Sequence, residues 1–230
     1  KEGITMDEYM VLLMGIMIVT LIISLSGSSI ATSIMTEKTT RVVEYLMINV
    51  RPMALIVGKI LASLLMVLIQ AVAMGISYGI SVVLRNILFG VPAADVQNVN
   101  EEMGINVSNI MQMISNIQIG DVLLALVVIL AGIMFYSILA GLAGASVSKM
   151  EEMAEGMKIF QMTMVVGSYL GIALCIVLMN GENALFTNIC SLIPVSAPFV
   201  VPACLILNKI PLSIGLISLG LLLVFTVLLF

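Results

Sequence analysis

Five long apolar stretches, none containing Asp, Glu, Lys or Arg, constrain this chain more than any other feature. They cover about residues 9–32, 60–84, 122–148, 159–180 and 212–230. A helix needs roughly 20 apolar residues to cross about 30 Å of hydrocarbon. Lipid offers no partner to a backbone N–H or C=O, so a spanning segment must be a helix or part of a closed barrel. These runs are too long and too evenly apolar for barrel strands, which alternate along their length. The expected fold class is all-α, a polytopic transmembrane helical bundle with five spans.

Composition agrees. Of the 230 residues 61% are hydrophobic and only 10% charged, and the mean hydropathy is +1.24. A soluble domain carries about a quarter charged residues, so there is too little polar surface here to clothe one. The net charge of −4 sits in the connecting segments. No basic cluster interleaves with aromatics, so nucleic acid is not an expected partner, whereas the lipid bilayer is. There is no histidine, and Cys175, Cys190 and Cys204 lack metal-ligand spacing. They read as small apolar residues, although a bridge between Cys190 and Cys204 is left open by the sequence. No charged n-region or cleavage site marks a signal peptide, and the chain is read as a piece of a longer protein.

Orientation follows from the cations. Lys38, Arg41, Arg51, Lys59, Lys149 and Lys158 fall after the first and third runs, against Lys1, Arg85 and Lys209 on the other side. The positive-inside rule then makes residues 33–59 and 149–158 cytoplasmic, and 85–121 and 181–211 extracytoplasmic. Five crossings put the N-terminus outside and the C-terminus inside a plasma membrane.

The inner segment from Glu37 to Arg51 is the most informative. On a helix, Val42, Val43, Leu46, Met47 and Val50 share one side, while Glu37, Arg41, Glu44 and Arg51 share another. Pro52 would end that helix. The pattern predicts a short amphipathic helix on the inner membrane face, serving either as an interfacial linker or as a lever against a soluble partner. In the second inner segment Ser148 and Glu151 fit a capping box. Glu151, Glu152 and Glu155 either offset a helix dipole or form an acidic docking patch.

Residues 184–207 are apolar, yet Pro194, Pro198 and Pro202 recur every fourth position. A continuous helix would lose several backbone bonds there. A re-entrant segment shielded by other helices, or a buried loop, fits better. Residues Gly75 to Gly79 match the serine-hydrolase pattern G-x-S-x-G. With no histidine to take the serine proton, they are read instead as a close-packing surface, as are Gly167 and Gly171. No phosphate-binding loop occurs, since Gly58-Lys59 is followed by Ile60, so the chain is not expected to be an enzyme. No ionisable residue falls within a span, which removes the usual proton-relay residues.

The run IATSIMTEKTTRVVEYLMINVRPMALIVGK, residues 30–59, resembles the cytoplasmic segment of ATP-binding cassette (ABC) exporter permeases of the second membrane class. It looks most like the branch named for sodium-efflux permeases. The features shared with that branch are Glu37, Lys38, Arg41, Glu44, Pro52, Gly58 and Lys59. SLIPVSAPFVVP, with Pro194, Pro198, Phe199 and Pro202, is similar to the stretch before that family's final span. Where relatives often carry a basic residue soon after the last proline, this chain has Cys204. The resemblance covers most of the chain from about residue 15 onward. It implies a six-span permease of which these are the last five. It further implies a second permease copy or paralogue, and a cytoplasmic ABC ATPase that binds the ATP and Mg, with no cofactor on this chain. The helix from Glu37 to Arg51, with Pro52, would be the coupling element touching that ATPase. Competing readings are an uncoupled channel or secondary carrier, and a non-transporting structural or sensor component.

Overall fold

The computed structural model describes residues 4–40, 118–147, 152–181 and 184–229, together with positions 58, 61, 62, 65, 66, 68–70, 72, 73, 76, 77, 79–81, 83 and 84. Among the described residues the chain is helical, with no strand. The helices are α1 (Met6–Thr39), α2 (Ile119–Ser146), α3 (Met153–Met179), α4 (Ala184–Leu192), α5 (Ala197–Ile206) and α6 (Leu212–Leu229). The described positions between 58 and 84 are helical as well. α1, α2, α3 and α6 are long and apolar enough to cross a membrane.

Local chemistry sets the helix ends. Thr5 caps α1 in a reciprocal box: the Glu8 N–H donates to Thr5 Oγ1 at 3.3 Å, and the Thr5 N–H donates to Glu8 Oε2 at 3.0 Å. Two orphan donors are satisfied at once. Asp7 and Glu8 sit in the first turn and Lys38 in the last, each sign placed to offset the helix dipole. α1 runs seven residues past the expected boundary at Thr32, because nothing in TSIMTEKT breaks a helix. Glu37 and Lys38 are therefore the last turn of a spanning helix rather than the start of a separate one. α3 begins at Met153, with Glu152 at the N-cap making no side-chain cap bond. The capping box expected at Ser148 and Glu151 lies outside the described residues.

Contacts at the ends of the helices fix their directions. At one end of the bundle the Ile4 N–H donates to Leu178 O, near the finish of α3, at 3.0 Å. There too Lys209 Nζ pairs with Glu8 Oε2 at 3.3 Å, and Gly120 of α2 lies beside Leu212 of α6. At the opposite end Lys38 Nζ donates to Ala145 O, and Gly156 of α3 meets Val147 and the Ala143 carbonyl. Hence α1, α2 and α6 run in one direction and α3 in the other.

α2 is the central helix, packing against α1, α3, α5 and α6. Small residues on it, including Ala131, Gly132, Ala140, Ala143 and Gly144, are buried and let neighbouring backbones approach closely. The buried side of α1 is a stripe of Leu12, Ile16, Val19 and Ile23. Its outer side exposes Met14, Met17, Ile18 and Leu21, apolar surface that a bilayer would cover and water would penalise.

Candidate functional site

The proline-rich segment folds as two short helices joined by a tight turn. α4 has nine residues and α5 ten, roughly 14–15 Å each at 1.5 Å per residue and so about half a bilayer. The turn at residues 193–196 closes through the Ser196 N–H on Ile193 O at 3.1 Å and Ser196 Oγ on Cys190 O at 2.6 Å. Each proline has a place in this arrangement. Pro194 lies in the turn, and Pro198 takes the first turn of α5, where a missing N–H costs nothing. Pro202 alone sits inside the helix and forfeits one bond. α5 stops in a paired cap: the Lys209 N–H reaches Cys204 O at 2.9 Å and the Asn208 N–H reaches Leu205 O at 3.0 Å. Asn208 takes the left-handed conformation, φ 53°, that this cap requires.

The hairpin tip is buried at mid-bundle. Tyr136, halfway along α2, donates its Oη–H to the Val195 carbonyl at 2.7 Å. Gly167, halfway along α3, lies against the same carbonyl, and a Cβ there would overlap it and come within 2.7 Å of Tyr136 Oη. A Cβ on Gly132 of α2 would overlap the Pro198 ring. Around Tyr136 the rings of Phe135, Phe160 and Phe199 pack edge-on at centroid separations of 5.3, 6.3 and 5.6 Å. Phe199 and Cys204 are fully buried. A second bond, Ser218 Oγ on Ser191 O at 2.6 Å, ties α6 to α4. The segment is thus a helical hairpin that enters the bundle from the α1 start, turns at half depth and returns. Of the two readings left open for it, the buried loop is replaced by this hairpin: Ser196 Oγ takes the Cys190 carbonyl that Pro194 leaves without its helical donor, and the Asn208 cap closes the carbonyls at the end of α5.

Cys175, Cys190 and Cys204 are all free and buried, so no bridge joins the last two.

Four of the expected partner-facing charges fall among the described residues, at the opposite end of the bundle. Glu37 and Lys38 close α1, and Glu152 and Glu155 open α3, with Glu152 and Glu155 exposed. The Lys38 bond to the last turn of α2 and the packing of Gly156 near Met35 and Ala143 bring the three helix ends into one rim. Arg41, Glu44, Arg51, Pro52 and Glu151 lie outside the described residues. Among the expected packing glycines, Gly167 meets the hairpin and Gly171 faces Ile16, whose nearest atom would be 3.2 Å from an added Cβ. Among the described residues Gly79 has no neighbour within 4 Å of that position, and Gly75 lies outside the described residues.

Sequence reasoning passed over Tyr136, the Thr5–Glu8 box and the Glu8–Lys209 pair. The box was legible as T-x-x-E ahead of an apolar run. The one tyrosine amid the second described span, between Phe135 and Ser137, was the available sign of a buried hydroxyl that needs a partner.

These features define a polytopic helical membrane protein with a half-membrane hairpin. A family model described as ABC-2 family transporter protein matches residues 5–230, and the chain belongs to that family. It is a permease component of an ABC transporter, as its resemblance to such permeases implies. No curated protein and no solved structure matches it.

Proposed function

We propose that the chain is the membrane half of an exporter, driven by ATP hydrolysis on a separate cytoplasmic ABC ATPase that carries the ATP and Mg. The family match over residues 5–230 is the observation that carries this reading. The absence of a phosphate-binding loop from the sequence supports placing the ATP chemistry on a partner. The charged rim at the ends of α1 and α3 is the face offered to that ATPase. Glu37 and Lys38 begin it, Arg41, Glu44, Arg51 and Pro52 continue it in sequence, and Glu151, Glu152 and Glu155 supply its acidic side. A push on this rim would reach α2 through the Lys38–Ala145 bond and reach α1 along its own length.

In this reading the rim is cytoplasmic, the positive-inside bias setting the orientation, and the hairpin carrying Pro194, Pro198, Phe199 and Pro202 enters from outside. α1 ends at the rim and α2 begins at the other face. A crossing over residues 60–84 completes five spans, and a helix over that range would be about 38 Å long. A second permease copy or paralogue completes the pathway. The test is to replace Arg41 and Glu44 by alanine in the assembled transporter. Hydrolysis should continue while export stops, with membrane insertion unchanged. Normal export by the double variant would remove the lever from the mechanism.

A further inference from the structure

α3 packs along one side and is bare along the other. Its packed side meets α1, α2, α4 and α5, with Gly167 and Gly171 against the hairpin tip and Ile16. On the far side Ile159, Met162, Val166, Tyr169 and Ile176 are each more than half exposed, and the small Ala173 falls between the last two. The steps along this row are three, four, three, four and three residues. That alternation keeps a stripe on one seam when two helices wind around each other.

Exposed apolar side chains alone are what a bilayer covers, and Tyr169 is the residue that does not fit that account. Its hydroxyl has no hydrogen-bond partner among the described residues. α3 is 27 residues long and Tyr169 stands ten before its end at Met179, which is about 15 Å from that end. Side chains on a helix lean toward its N-terminus, so the phenol points away from the nearer surface and deeper into hydrocarbon. No water or lipid group pairs with it there. The hydroxyls of Thr20, Ser168 and Thr226 avoid this by donating to carbonyls of their own helices. A phenol at the far end of a rigid ring does not fold back in that way.

We propose that this face of α3 is the contact with a second copy of the chain, α3 lying parallel to its counterpart. All copies enter the membrane in one orientation, so a two-fold axis along the membrane normal sets the two helices side by side in the same direction and in register. Each residue of the seam then meets its own counterpart. Ile159, Val166 and Ala173 form one row, β-branched or small as a two-stranded seam favours, and Met162, Tyr169 and Ile176 form the other. Tyr169 meets Tyr169 near the axis. A phenol hydroxyl both donates and accepts, so each copy supplies the partner that the other lacks, as interhelical hydrogen bonds in membranes do. Continued toward the start of α3, the rows reach Glu155 and Glu152. Like charges would face each other there, so the seam closes at Ile159 and the helices part beyond it. This assignment names the face for the second copy that the exporter reading calls for, and rests on that reading for the presence of one.

The test is disulfide trapping of the full chain in membranes, with no ATPase or nucleotide. Val166→Cys and Ala173→Cys place thiols on the seam, and Val224→Cys places one on the similarly exposed side of α6. The native cysteines are buried, and the unmutated chain sets the baseline. Copper–phenanthroline oxidation should give a dimer band for Val166→Cys and Ala173→Cys and none for Val224→Cys, with differently tagged copies showing that both partners are this chain. In liposomes, energy transfer between labelled copies should show Tyr169→Phe weakening association by about threefold. The assignment is overturned by absence of a band at both seam positions, or by an equal band at Val224→Cys. It is equally overturned if Tyr169→Phe associates as tightly as the unmutated chain. Absence of seam trapping with ATP-driven export intact removes this face and leaves the exporter reading standing, whereas trapping without such export does the reverse.

Discussion

Replacing Tyr136 by phenylalanine deletes one oxygen from the middle of the bundle, and the structure says what that oxygen holds. Its hydroxyl donates to the Val195 carbonyl at 2.7 Å, at the tip of the hairpin. A neutral hydrogen bond contributes about 0.5–1.5 kcal/mol net, and a buried acceptor left without its donor costs about 1–3 kcal/mol. Inter-helix bonds within membranes run toward the low end of such values, averaging about 0.6 and reaching about 1.7 kcal/mol. The ring remains, so the edge-on packing with Phe135, Phe160 and Phe199 is not lost. The expected cost is therefore about 1–2 kcal/mol, borne by the hairpin rather than by the whole bundle. That is a roughly five- to thirtyfold rise in the population of an opened hairpin. The chain carries its own reporters, because Cys190 and Cys204 lie on the hairpin and Cys175 on α3, all three free and buried. Maleimide labelling in native membranes, read peptide by peptide by mass spectrometry, should speed up at Cys190 and Cys204 by that factor and stay unchanged at Cys175. Uniform acceleration at all three cysteines would mean global loosening, and no acceleration would mean that the bond does not hold the tip. Either result refutes the reasoning.

Gly167→Ala attacks the same contact from α3, since its Cβ would overlap the Val195 carbonyl. It should destabilise by about 1–3 kcal/mol, and Phe at 136 should relieve part of that in the double variant, visible as non-additive melting in detergent. Thr5→Ala removes one half of the α1 cap and should cost about 0.5–2 kcal/mol, seen as faster amide exchange confined to the first turn. Glu8→Gln keeps an acceptor for the cap but removes the charge facing Lys209 at 3.3 Å. Both side chains are partly exposed, so a loss of about 1 kcal/mol or less is expected, shrinking further in high salt. Lys209→Gln should then cost little further in the Glu8→Gln background, and thermal melts in which the two changes are simply additive would remove the pairing from the account.

What the sequence by itself determined is the helical, membrane-spanning character of the long apolar runs that the structure describes. The cost of placing a residue in lipid is a local property of that residue, so 122–148, 159–180 and 212–230 agree with α2, α3 and α6 to within a few residues, the start of α3 excepted. The proline spacing at 194, 198 and 202 was likewise enough to rule out a continuous helix there, because proline acts on its own backbone. Helix ends were less legible. α1 continues through Thr39 since hydropathy falls along TSIMTEKT while helix-breaking residues are absent from it, and the two signals are independent.

Only the tertiary structure decided which residues meet. Nothing local to Tyr136 points to a carbonyl 59 positions away, and nothing in Gly167 distinguishes it from Gly171 until one is seen against the hairpin tip and the other against Ile16. The same holds for the bare face of α3. Its apolar residues and Tyr169 could be counted in the sequence, but which side of the helix is packed away and which is left bare depends on how the other helices are arranged. Burial in lipid is decided residue by residue, whereas contact is decided by the path of the whole chain.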